Sequence, residues 1–147
     1  MNMRRVLIVF SVLLLFASLG IMAQDKYVPS SNEVFYGTWI NEKMTPQKTV
    51  HNPDGSFEDY QHVSDTTPFR KGTSEITKKT TDSEGNVYYE TFDKMSFGMV
   101  LHSLWKISDS GKAMEMVGRA AGADPSSFPK EIDPKDPHYF IFYRLEN

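Results

Sequence analysis

The sequence predicts an all-β domain: a closed up-and-down antiparallel barrel of eight strands, with a two-sheet β-sandwich as the alternative. Three observations carry this. Beyond residue 23, apolar and polar residues alternate, and no stretch shows the period of an amphipathic helix. Turn residues recur at short intervals. Cysteine is absent, so a domain of this size must be held by apolar burial alone, for which both Trp and all 7 Tyr are in place.

The elements follow in order. Residues 24–33 are polar and read as a leader. The first strand is Val34 to Glu42. The second and third, Lys48–His51 and Phe57–Val63, flank Asn52-Pro53-Asp54-Gly55, where Pro presets the turn and Gly accepts positive φ. Thr66-Thr67-Pro68 interrupts the chain before a fourth strand, Lys71–Thr81. Asp82-Ser83-Glu84-Gly85-Asn86 turns it into a fifth, Val87–Phe92. The sixth, Met99–Ile107, passes through Ser108-Asp109-Ser110-Gly111 into the seventh, Lys112–Ala120. Residues 122–137 hold four of the 8 prolines, which cannot donate to a sheet ladder, so this stretch is a loop. Tyr139–Leu145 is the last strand, and residues 34–147 form one barrel domain.

In front of this body lies a different kind of sequence. Arg4 and Arg5 precede an apolar run from Val6 to Met22, and Ala23 precedes the first polar residues. This is the pattern of a secretory signal peptide, residues 1–23, cleaved after Ala23. An uncleaved N-terminal anchor is the rival. Either way residues 24–147 are expected in the periplasm or outside the cell. The net charge is −3, and all 19 acidic residues lie beyond residue 23. Such a surface disfavours nucleic acid and anionic lipid as partners. A transmembrane barrel is also disfavoured: Thr73, Glu75, Thr77, Lys79 and Thr81 form one face of the fourth strand and Ser74, Ile76 and Lys78 the other, and hydrocarbon rejects both.

Gly37-Thr38-Trp39 in the first strand, after Phe35-Tyr36, and Phe142-Tyr143-Arg144-Leu145 at the end resemble the lipocalin and fatty-acid-binding superfamily, the calycins. In that family the first strand carries Gly-x-Trp, and an Arg near the chain end packs on the Trp at the closed end. The resemblance implies that Trp39 plugs the barrel floor, Arg144 lies over its indole and Gly37 lets the strand bend. More narrowly, Asn52-Pro53-Asp54-Gly55, Asp82-Ser83-Glu84-Gly85-Asn86 and Leu104-Trp105-Lys106-Ile107-Ser108 are similar to phrases of short bacterial secreted lipocalin-like domains, over about residues 34–145. The helical lid of fatty-acid-binding proteins has no counterpart, because Asn41–Gln47 is too short for two helices.

Candidate binding residues come from strand faces. Met99, Leu101, Trp105 and Ile107 share one face of the sixth strand, and Met114, Met116, Gly118 and Ala120 one face of the seventh. Tyr139, Ile141 and Tyr143 oppose Phe140, Phe142 and Arg144 on the last strand. One reading is a calyx for an apolar ligand, lined by Met99, Leu101, Trp105, Met114, Met116 and Tyr143. The other is a packed core. His51, His62, His102 and His138 lack ligand spacing and read as surface or rim residues, so no metal is expected. Asp124, Glu131, Asp133 and Asp136 alternate with Lys130 and Lys135 in the long loop, which reads as solvated. That loop is a candidate flap over the mouth, with Phe128 as its apolar contact. No nucleophile elbow, Gly-rich phosphate loop or placeable Ser/His/Asp group is present, so neither an enzyme nor a cofactor is expected. The favoured function is binding of a small apolar or amphipathic ligand inside the barrel. The alternative is a solid-core envelope protein that binds another protein through its loops and rim.

Overall fold

A computed structural model describes residues 27–121 and 128–145. The expected signal peptide, residues 24–26 of the leader and Asp124 of the long loop lie outside the described residues. Eight strands run β1 (Gly37–Ile40), β2 (Lys48–His51), β3 (Ser56–Tyr60), β4 (Arg70–Thr81), β5 (Val87–Met95), β6 (Val100–Ser108), β7 (Ala113–Ala120) and β8 (Tyr139–Arg144). Each pairs antiparallel with the next, and β1 pairs with β8 through Trp39 opposite Arg144 and Ile40 opposite Tyr143. The sheet is therefore a closed barrel and not a sandwich. Among the described residues, no helix is long and apolar enough to cross a membrane.

The hairpin turns follow from their side chains. In Asn52–Gly55, Gly55 has φ 84° and its N–H donates to the Asn52 carbonyl, while Asp54 Oδ1 accepts from the Ser56 N–H and hydroxyl. Asp82 Oδ1 accepts from the N–H groups of Glu84 and Asn86, both at 2.9 Å. A short 3₁₀ turn, Asp109–Gly111, joins β6 to β7.

Three boundaries differ from the sequence reading by three residues each, and the others by two or fewer. β1 begins at Gly37, whose φ of 130° turns the chain sharply, so Val34–Tyr36 crosses beneath the barrel instead of extending the strand. β3 stops at Tyr60, and Lys48 Nζ holds the following loop by donating to the carbonyls of Val63 and Asp65. β5 runs on to Met95, because Asp93 turns inward and is met there by the hydroxyls of Ser74 (2.7 Å) and Thr91 (2.9 Å).

Two regions fill the barrel differently. Toward the end where the chain enters, the interior is packed by Phe35, Trp39, Ile76, Tyr89, Trp105, Ile107, Met114 and Phe142. Trp39 is 0% exposed, its indole N–H donates to the Phe35 carbonyl at 3.0 Å, and the Arg144 guanidinium lies 4.3 Å from its ring centre. Arg144 also donates to the carbonyls of Gly111, Tyr36 and Val34. A side chain at position 37 would collide with this guanidinium, so the Gly-x-Trp element serves packing as well as the bend. Arg144→Ala should lower stability by about 2–3 kcal/mol, from the lost cation–π contact and unpaired carbonyls. Chemical denaturation reads that loss. Because Arg144 is not part of the cavity lining, affinity for a bound molecule should stay unchanged.

The described leader is not a free tail. Tyr27 packs against the core, and Glu33 is buried beneath it. The Glu33 carboxylate accepts from Lys79 Nζ (2.6 Å), the Tyr89 hydroxyl (2.8 Å), the Tyr27 hydroxyl and the Ser30 N–H. Burial alone would raise its pKa, but these donors outweigh burial and hold it down at about 2.

Candidate functional site

The other half of the barrel is hollow. A cavity of about 360 Å³ opens near Pro46, Arg70, Met99, His138 and the end of β7. Its origin is local. Near this end the inward positions of β4 and β7 carry Ser74, Gly118 and Ala120, which are too small to meet across the barrel. The backbone is tight here too: Gly72 sits so close to the Phe57 ring and the Lys94 carbonyl that a larger residue has no room.

The walls are unlike. One side is apolar: Met95, Met99, Leu101, Trp105, Met116, Phe140 and Phe142. The other carries Thr49, His51, Asp59, Arg70, Ser74 and Asp93. Asp59 points inward while Glu58 points out, and its carboxylate accepts from Arg70 Nε at 2.6 Å. Asp93 is buried, and burial pushes its carboxyl up from the ordinary range against the hydroxyls that bond it. Thr91 in turn accepts from the Trp105 indole at 2.8 Å, which fixes the ring in the wall. The Ser103 hydroxyl, buried near Asp93, makes no hydrogen bond of standard geometry.

His51 stands at the base of the polar side. It is 3% exposed and packed among Phe35 (4.2 Å between ring centres), Trp105 (5.2 Å) and Phe57 (5.9 Å). Neither ring nitrogen has a hydrogen-bond partner. Burial lowers its pKa from 6.5 to about 3, so the imidazole is neutral.

Of the six residues read as a calyx lining, Met99, Leu101, Trp105 and Met116 border the cavity. Met114 is fully buried in the packed half and does not. Tyr143 is a correction: it is 54% exposed on the outside of β8, and Phe140 and Phe142 take the inward positions. The period of two explains this, since Arg144 over Trp39 forces Tyr143 to the opposite face. Gly37, Trp39 and Arg144 form the closed end as described above.

The histidine and loop readings also need correction. His51 is interior, not at the rim. His102 is 6% exposed on the outer wall, where the Phe128 ring stacks on it at 4.3 Å and Phe92 meets it edge-on at 4.5 Å. Phe128 therefore covers the outside of β5 and β6 and does not close the mouth. The loop is fastened by Asp136, which pairs with Arg119 through both carboxylate oxygens. His62 and His138 are exposed, and His138 borders the mouth. Phe69 and Phe97 are also exposed at this end, on the loops that lead into β4 and β6.

Sequence reasoning missed Asp59, Asp93, Arg70 and His51 because it sent apolar faces inward. Strict alternation from Phe57 and Met95 would have placed both aspartates inside. Among known families, curated proteins and solved structures, none matches this chain. Fold and site together define a class: a closed eight-stranded antiparallel barrel with an internal cavity, compatible with a lipocalin-like fold.

Proposed function

We propose that this is an exported lipocalin-like carrier that holds a small amphipathic molecule inside the open half of its barrel. The observation that carries the reading is the 360 Å³ cavity with one apolar and one polar wall. Its size falls within the about 300–1,000 Å³ of small-molecule sites, and such sites pair an apolar lining with a few placed polar groups. A solid barrel acting only through its rim would have side chains filling this space. Export is supported by the apolar run Val6–Met22 after Arg4 and Arg5.

Binding fits better than catalysis. Asp59 is engaged by Arg70, Asp93 by two hydroxyls, and His51 contacts no carboxylate. Among the described residues, His51 therefore activates no hydroxyl, and the hydroxyls on Asp93 serve to hold the buried carboxyl.

Native mass spectrometry of the protein purified from its own host should show a co-purifying small molecule, and the stripped protein should take up the apolar dye Nile red. A clean apo mass together with no dye uptake would overturn the reading. Exposed Phe69 and Phe97 would then favour the rival, a partner protein bound at the rim.

A further inference from the structure

We propose that the cavity takes a neutral molecule with a short apolar body and a hydroxyl head, and that the head reaches the ring nitrogens of His51. This rests on the binding role proposed above and specifies the head group.

The argument starts from an unmet need. His51 lines the cavity, is 3% exposed and leaves both Nδ1 and Nε2 without a hydrogen-bond partner. A neutral imidazole carries one N–H donor and one bare acceptor, and leaving both unpaired inside a protein is costly. The packed neighbours of the ring, Phe35, Phe57 and Trp105, contribute only aromatic faces and edges. The residue borders the cavity, so the partner we assign to it comes from that side. A hydroxyl both donates and accepts through a single oxygen, so it answers either nitrogen in either tautomer.

The surrounding charges select against an ionic head. A carboxylate would face Asp59 and Asp93 across the same space. From a neutral His51 it would gain one hydrogen bond and no ion pair, and the lining cations Arg70 and Arg119 are already committed to Asp59 and Asp136. An ammonium group would need a free anion. Asp59 is paired with Arg70, and Asp93 already accepts from the Ser74 and Thr91 hydroxyls. The body of the ligand lies against Trp105, Met116, Phe140 and Phe142. A volume of 360 Å³ is near the small end of the range for such sites, which fits a short chain or a compact fused-ring body and not a long acyl tail.

The test uses three probes that differ only in the head: 1-octanol, octanoate and octylamine. Each is titrated at pH 7 into protein carrying Nile red. 1-Octanol should displace the dye at a concentration at least about tenfold lower than either ion. His51→Phe should weaken 1-octanol about five- to tenfold more than it weakens Nile red, the worth of one hydrogen bond. His51→Gln, which keeps a donor and an acceptor, should retain most of the affinity. A readout on the unsubstituted protein guards against a folding failure: nitrogen NMR resonances of the His51 side chain should shift as 1-octanol binds.

Octanoate or octylamine binding as tightly as 1-octanol would overturn the head-group assignment. So would unmoved His51 nitrogens while 1-octanol displaces the dye. In both cases the binding role survives. If Nile red is not taken up and no probe binds, the binding role itself fails, and this proposal with it.

Discussion

Replacing Trp39 with alanine is expected to lower the free energy of unfolding by about 3–5 kcal/mol, the range for truncating a large aromatic core residue. Three features of the closed end point to the upper part of that range. The ring is 0% exposed, so nothing refills the void cheaply. Its N–H is the partner of the Phe35 carbonyl, which would lose its donor. Its face supports the Arg144 guanidinium, whose donors fasten Val34, Tyr36 and Gly111. Denaturant midpoints at unchanged slope will measure the loss. A loss below ~1 kcal/mol would mean that the indole does not plug the barrel.

The second large effect is acid sensitivity. His51 titrates near 6.5 in the unfolded chain and at about 3 in the barrel. Between those values the unfolded state binds one more proton, so its population gains as pH falls. Stability is full above pH 6.5 and declines by about 1.4 kcal/mol per pH unit down to the folded pKa, a total of roughly 4–5 kcal/mol. Glu33 adds a loss of the same sign below its ordinary 4.5, because its folded pKa is about 2. Asp93 acts oppositely: with its pKa raised by burial, the folded state takes up that proton first. Urea denaturation from pH 7 to pH 4.5 reads mainly His51, and His51→Phe should flatten that segment. A slope unchanged by the substitution would contradict the burial of a neutral imidazole.

Much of the architecture was legible because it depends on short-range chemistry. Asn52-Pro53-Asp54-Gly55 and Asp82–Asn86 name their own turns, and alternation around them places the strands, although β1 and β3 are shorter and β5 longer than it suggests. The seam between β1 and β8 was legible only through Trp39 and Arg144, whose contact needs both chain ends side by side. The cavity was harder. Its existence depends on small inward residues, Ser74, Gly118 and Ala120, lying near one end of the barrel, and their placement is set by registers no local pattern shows. The polar wall was hidden for a different reason. Asp93 and Asp59 look like solvent-facing charges until their hydroxyl and guanidinium partners, distant in sequence, are brought beside them. Tyr143 was misplaced although the correct answer followed from Arg144, one residue away.

The docked leader has a directional consequence. Tyr27 and Glu33 are bound to the plugged end, so the first described residue lies on the side opposite the entrance. A surface tether attached at Tyr27 would hold the protein by its base and leave the mouth of the cavity unobstructed.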